Sequence, residues 1–205
     1  MDPITERSVQ PDQQEHETTR IARTASIISS GNIASRVLGI AREAVKSHLF
    51  GAGSAVDAYN IAALVPTMLY DLLVGGMVNS SLVPVFVEYA ETRREALWEL
   101  VSLILSWLVI FLSVFILLVE LFPLQVATLL SSGASLETRT LAAGLLQISV
   151  PAVVFLSLSG VLTGVLLALK RFTLPAFTTA MFNAGIVITT LAFQQWFGVQ
   201  AMAGG

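Results

Sequence analysis

The sequence predicts an all-α integral membrane protein built as a polytopic helix bundle. Its 205 residues are 55% hydrophobic and only 12% charged, whereas a typical soluble domain has roughly 25% charged residues. Uncharged apolar runs recur along the chain, and the clearest, residues 100–119, has the ~20 residues that one helix needs to cross a bilayer. These runs are much longer than β-strands, and none shows the strict alternation over about ten residues of a barrel strand.

We expect about five full spans and the start of a sixth. The five correspond to residues 21–49, 58–87, 100–119, 140–169 and 174–197, and residues 199–205 have the composition of the first turn of another span. Polar or helix-ending residues separate them: the link 88–99, Glu120 with Pro123, Arg139, Lys170 with Arg171, and Gly198. Proline falls inside the second span (Pro66) and the fourth (Pro151), where it interrupts helical hydrogen bonding. We therefore expect one helical bundle over residues 21–205, forming part of a larger protein.

The first twenty residues are polar and acidic, with no apolar core of their own. They lack the basic-then-apolar order of a signal peptide, so we interpret residues 1–20 as a disordered cytoplasmic tail.

Basic residues indicate the orientation of the chain in the membrane, because they are enriched in cytoplasmic loops. The pairs that fall on one side by parity are Arg20 and Arg23, Arg93 and Arg94, and Lys170 and Arg171. This pattern predicts a cytoplasmic N-terminus.

The first span carries charges where hydrocarbon is expected. A charged residue at the centre of a membrane helix costs about 2.5–3.5 kcal/mol on insertion scales, so such residues usually face protein or water and serve a function. At 100° per residue, one stripe combines Ser29, Asn32, Arg36, Gly39 and Glu43.

Arg42 lies on the flank of this stripe, about 100° from Glu43. Arginine suits forked recognition of phosphate or carboxylate oxygens, which makes Arg36, Arg42 and Glu43 candidate substrate-binding residues. Alternatively, the arginines only neutralise Glu43 and Asp71 within the bundle. Lys46, near the outer end of the span, is better explained by snorkelling to the interface.

Two aspartates complete the candidate set. Asp71 is the only charge within the second span, and we expect an arginine of the first span to pair with it. The pair would either fix helix docking or take part in coupling or substrate contact. Asp57 follows a turn that contains Gly51 and Gly53, and it is placed like an N-cap of the second span.

Other classes of site find no support in the sequence. There is no cysteine and the only histidines are His16 and His48, so no metal site is expected. No Ser/His/Asp arrangement or carboxylate pair indicates an enzyme. No basic patch indicates a nucleic-acid partner. We expect no cofactor, and the sequence leaves a coupling ion undetermined. Membrane lipid is the one partner that composition alone implies.

The stretch SRVLGIAREAVKSHLFGAGSAVDAYNIAALVP, residues 35–66, resembles the opening of the MurJ/MviN family of lipid II flippases. These transporters belong to the multidrug/oligosaccharidyl-lipid/polysaccharide exporter superfamily. Weaker similarity continues in SLVPVFVEY, residues 81–89, and in LKRFTLPAFTTAMFN, residues 169–183. The resemblance implies most of one MATE-like N-terminal lobe of a two-lobed transporter, with the C-terminal part of the same protein as the missing partner.

The resemblance also implies an activity. A cationic cavity would bind the head group of an undecaprenyl pyrophosphate-linked glycan, lipid II, and alternating access would pass it to the outer leaflet of the bacterial inner membrane. Arg36 and Arg42 match the arginines of the family's cavity. Glu43 matches the acidic residue next to them, and Asp57 matches an aspartate in the following loop. Tyr70 and Asp71 depart from the family, which usually has basic residues there.

Because Tyr70 and Asp71 depart from the family's pattern, three alternatives stay open. The chain could belong to an exporter of another lipid-linked polysaccharide, or to a cation-coupled multidrug exporter of the same superfamily, in which Asp71 would matter most. A membrane scaffold or inactive remnant is the third.

Overall fold

A computed structural model describes residues 11–51, 53–131 and 133–204, and this part of the chain is helical throughout, apart from short links. The helices are α1 (Pro11–Phe50), α2 (Ser54–Tyr70), a π-helical segment (Asp71–Leu82), α3 (Val83–Thr92), α4 (Arg94–Leu121), α5 (Pro123–Leu130), α6 (Leu136–Ser149), α7 (Ala152–Ala168), α8 (Thr173–Phe197) and α9 (Gln200–Ala203). The predicted all-α helix bundle is confirmed.

The helix α1 begins earlier than the sequence indicates. It starts at Pro11 and runs for 40 residues, which corresponds to a length of ~60 Å. Residues 11–20 thus belong to the helix α1 and residues 1–10 lie outside the described part, while the assignment of residues 1–20 to a cytoplasmic tail stays a prediction. Proline suits the first turn of a helix, and the glutamines and glutamates that follow have good helix propensity. These residues extend a helix that residues 21–50 already nucleate.

Among the described residues, three helical units are long and apolar enough to cross a membrane: Ser54–Thr92, Arg94–Leu121 and Thr173–Phe197. They correspond to the second, third and fifth predicted spans. A fourth unit is formed if α6 and α7 are counted as one broken span, with a bend of 47° between them. Pro151 lies at this break and explains it, because proline removes a backbone donor and clashes with the preceding turn.

The first predicted span does not meet the same criterion of length and hydropathy. Its polar stripe, with Asn32 and Arg36 in the middle, lowers the hydropathy of α1 below that of the other spans. By this measure, α1 differs from the rest of the bundle, and its crossing of the membrane stays a prediction.

The second span continues through Pro66 without a break, as one helical unit from Ser54 to Thr92. The irregularity lies further on, in the π-helical segment Asp71–Leu82. Glycines at positions 75 and 76 weaken the α-helix there. The Ser80 hydroxyl donates to the Gly76 carbonyl oxygen over 2.6 Å. A π-helical stretch re-aims the side chains around it and is frequent at functional sites.

In the described part of the chain, two apolar clusters form the core. One lies between α2, α5 and α6, and it buries Ala58, Ala62, Ala142 and Leu146. The other lies between the π-helical segment, α3, α4 and α7, and its fully buried members include Phe86, Leu97, Leu112 and Val161. None of these buried hydrophobic side chains belongs to the described part of α1. That helix instead packs along α8, outside both clusters.

Close packing of α7 on the second span predicts a stability defect. A Cβ atom on Gly164 would lie 2.8 Å from Cγ1 of Val78 and 3.4 Å from Cγ2 of Val83. Gly164→Ala should therefore lower the free energy of unfolding by about 1–3 kcal/mol. Thermal unfolding of the purified protein measures this loss, and shortening the contacted side chain with Val78→Ala should recover part of it. In the matched control Gly144→Ala, the added Cβ meets no atom within 4 Å, so no loss is expected. Equal behaviour of the two alanine variants would contradict this packing.

Candidate functional site

Contact with α8 positions α1 and its charges. Gly31 is buried, and a Cβ atom there would lie 2.6 Å from the carbonyl carbon of Ala176 and closer still to its oxygen. One helical turn further along, the buried Asn183 side chain donates from Nδ2 to the carbonyl oxygen of Ser35 over 3.4 Å. A glycine-mediated approach and a side-chain hydrogen bond thus fix the rotation of α1 about its axis.

This rotation decides which residues of α1 face the bundle. Gly31, Leu38 and Arg42 are covered or partly covered, whereas Arg36 and Ile40 are exposed on the opposite side. The residues of the predicted polar stripe are mainly exposed: Ser29, Asn32, Arg36 and Glu43, with Gly39 partly covered. The charged stripe is therefore not covered by the described remainder of the chain.

Two cationic side chains of α1 meet at the carboxylate of Glu43. Arg42 approaches it with Nη2, which lies 3.3 Å from Oε1 of Glu43. Lys46 approaches the other oxygen, with Nζ 2.5 Å from Oε2. We name Arg42, Glu43 and Lys46 the Glu43 cluster. Its net charge is positive, because one carboxylate faces two cations.

Lys46 also connects the cluster to the next helix. Its ammonium donates to Oδ1 of Asn60 in α2 over 3.4 Å. Only 15% of its side chain is exposed, compared with 31% for Arg42 and 54% for Glu43. The Lys46 side chain therefore contacts two polar partners, and its snorkelling to the membrane interface stays a prediction. The three-residue spacing to Glu43 is a recognisable sign of an ion pair, but the sequence could not show that Asn60 lies opposite.

The structure does not bring Arg36 into this cluster. Arg36 lies two turns before Glu43, which corresponds to ~10 Å along the helix axis. Among the side chains that the structure describes, no carboxylate is within ion-pair distance of Arg36. The alternative, in which Arg36 only neutralises an acidic group of the bundle, is therefore not supported by any ion pair among the described residues.

The two aspartates lie elsewhere. Asp71 is exposed at the start of the π-helical segment, and no described cation forms an ion pair with it. The expected pair between Asp71 and an arginine of α1 is therefore absent from this arrangement, because Arg42 is engaged by Glu43 and Asp71 is not buried. Asp57 is not an N-cap: Gly53 caps α2, and the Asp57 amide donates to the Gly53 carbonyl oxygen over 3.1 Å. Asp57 instead lies exposed in the first turn, where a negative charge favours the helix dipole.

A cleft between α1, α2, α7 and α8 is a feature that the sequence did not indicate. It is half-open, with a volume of about 300 Å³. Its polar lining is neutral and consists of Asn32, Ser35, Tyr70, Thr163, Thr178 and Thr179. The cleft gathers polar residues from four helices, so no single stretch of sequence could have predicted it.

Comparison with known proteins decides the family. A family model described as lipid II flippase MurJ matches residues 46–205. The chain belongs to this family. The match to the MurJ family begins at Lys46, so that Arg36, Arg42 and Glu43 lie just before it.

Relatives within the MurJ family cover most of this chain. The probable lipid II flippase MurJ of Buchnera aphidicola subsp. Schizaphis graminum is 27% identical over 84% of the chain and 34% of its own length. The lipid II flippase MurJ of Burkholderia cenocepacia is 31% identical over 80% of the chain and 33% of its own length. The chain thus spans about a third of the length of these relatives.

A solved structure of lipid II flippase MurJ in an inward closed conformation is similar in fold. It superimposes with a TM-score of 0.75 at 27% identity, over 86% of this chain and 38% of the other. The expected resemblance to MurJ is therefore confirmed, and the apolar helices are those of a MurJ-type membrane transporter. The candidate residues Arg36, Arg42, Glu43, Asp57 and Asp71 stay predictions.

Proposed function

We propose that this chain acts within a flippase that translocates lipid II, the lipid-linked peptidoglycan precursor, from the cytoplasmic to the outer leaflet. The observation that carries the proposal is the charged side of α1. Arg36 is exposed and Arg42 is partly exposed on a helix that lies outside both apolar clusters. A membrane protein retains such charge where it faces a polar cavity or a ligand.

The chemistry of the arginines suits a diphosphate. Guanidinium groups bind phosphate oxygens through charge-assisted hydrogen bonds, which are roughly twice as strong as neutral ones. In this proposal Arg36 and Arg42 bind the diphosphate of an undecaprenyl-linked precursor, and Glu43 balances Arg42 when no ligand is present. Asp57 and Asp71, both exposed on the second span, contact the cavity at other points of the transport cycle.

The rest of the transporter supplies the opposing wall. The described part of the chain leaves the stripe of α1 uncovered, and the relatives are about three times as long as the matched region. The second lobe therefore closes the cavity against α1, and alternating access exposes the head group to each side in turn. In this proposal the transporter lies in a bacterial inner membrane with its N-terminus in the cytoplasm, an orientation that the positive-inside pattern supports.

Genetic replacement tests this proposal. The whole protein that contains this chain is expressed in bacteria whose own lipid II flippase is depleted. We expect survival and normal cell shape, because the precursor again reaches the outer leaflet. Lysis despite normal amounts of the protein in the membrane would refute the assignment to lipid II.

Asp71 favours one alternative, a cation-coupled exporter. Its carboxylate is exposed and forms no ion pair with the described cations, so it is free to bind an organic cation or a proton. Efflux of a cationic dye, driven by a proton or sodium gradient and lost in Asp71→Asn, would support this function. The cationic side of α1 argues against it, because like charge repels such a substrate.

A further inference from the structure

We propose that Lys46 is a third cationic residue of the anion site and binds the ligand diphosphate together with Arg42. The inference rests on the proposed function and adds a residue that the sequence analysis assigned to the membrane interface. It starts from the position of the Lys46 ammonium, which points inward, between Glu43 of its own helix and Asn60 of α2.

The carboxylate of Glu43 shows what the two cations can hold. Arg42 contacts Oε1 and Lys46 contacts Oε2, so one anion with two oxygens is bracketed from both sides. A phosphate group likewise presents several oxygens to its neighbours, and it carries more charge than a carboxylate. The same pair of cations can therefore bracket a phosphate that takes the place of Glu43.

Displacement of Glu43 from the two cations by a ligand costs little free energy. Glu43 is more than half exposed, so water can solvate its carboxylate when a ligand displaces it, and ion pairs that lie close to solvent contribute only weakly to stability. Lys46, in contrast, has a second partner. Lys46 retains its hydrogen bond to Asn60, and docking of α1 on α8 fixes the helix that carries both cations. The site is therefore preorganised for an anion, with Glu43 as its internal competitor.

The binding of a short-chain polyprenyl diphosphate tests the inference, with the corresponding polyprenyl alcohol as reference. The whole protein is reconstituted in nanodiscs, and both affinities are measured for each variant. Lys46→Met should weaken diphosphate binding about tenfold or more, the equivalent of ~1.4 kcal/mol, without changing alcohol binding. Lys46→Arg should retain most of the affinity, and Glu43→Gln should tighten diphosphate binding because the competitor loses its charge.

Two controls separate ligand binding from structural effects. Lys170→Met removes another lysine that pairs with a glutamate, Glu91, at 3.5 Å, and should leave the affinity unchanged. Asn60→Ala removes the link to α2 but leaves the Lys46 charge, so it should retain the affinity to within about threefold.

The outcomes distinguish this inference from the proposed function. If Lys46→Met binds the diphosphate as tightly as the wild type while Arg42→Ala does not, Lys46 is no ligand and only the inference fails. If Asn60→Ala weakens binding as much as Lys46→Met, Lys46 acts only through helix docking, and the inference fails again. If the wild-type protein does not prefer diphosphate over alcohol, the proposed function fails together with the inference.

Discussion

Replacement of Arg42 by alanine should reduce lipid II transport at least about a hundredfold, with loss of rescue in flippase-depleted cells. Arg42 is partly buried, has a charge partner on the same helix and carries a guanidinium group. Each hydrogen bond from a charged group contributes about 1.5–3 kcal/mol, and a guanidinium can form two to one phosphate. Their joint loss corresponds to the expected reduction.

Two further variants make this result specific. Arg42→Lys keeps the charge but loses the forked geometry, so we expect partial activity. Arg94→Ala removes an exposed arginine at the start of α4, which lies outside the candidate site, and should transport normally. If Arg42→Ala rescues depleted cells as well as Arg94→Ala, the site does not include Arg42.

The second large effect concerns the docking of α1. Gly31→Ala places a Cβ atom 2.6 Å from the carbonyl carbon of Ala176, and backbone atoms cannot give way as a flexible side chain can. The two helices must therefore separate. Overpacking of this kind costs about 1–3 kcal/mol and occasionally more. We expect a lower melting temperature of the purified protein and a loss of transport, because α1 carries the candidate site.

Gly39 provides the matched control on the same helix. A Cβ atom there would lie 3.8 Å from Nδ2 of Asn183, an ordinary van der Waals contact. Gly39→Ala should be tolerated or slightly stabilising, since alanine is favoured over glycine in helices by about 1 kcal/mol. If Gly31→Ala melts at the temperature of Gly39→Ala, the close approach of α1 and α8 at Ala176 is refuted.

The class of fold and most helices could be predicted from the sequence, because they depend on local composition. The uncharged run 100–119 lies within α4, and Pro151 lies at the break between α6 and α7. The start of α1 at Pro11 could not be predicted from the sequence, because residues 11–20 become helical as an extension of the helix that follows them. The π-helical segment also escaped prediction, since the glycines at positions 75 and 76 indicate a weakened α-helix but not the form that the helix takes there.

The candidate site, too, could be predicted from the sequence only in part. The stripe with Arg36 and Glu43 follows from helical periodicity, and the structure shows both of these charged residues exposed. Contacts between helices could not be predicted. The inward turn of Lys46 depends on Asn60, and the separation of Asp71 from the arginines depends on how α1 docks on α8.

The most direct test of the central claim is transport of lipid II with a fluorescent head group in proteoliposomes. The wild-type whole protein and its Arg42→Ala and Lys46→Met variants are compared, and a membrane-impermeant quencher measures how much lipid II changes leaflet. We expect transport by the wild type, almost none by Arg42→Ala and reduced transport by Lys46→Met. Equal transport by all three proteins would contradict the claim that the cations of α1 bind the diphosphate.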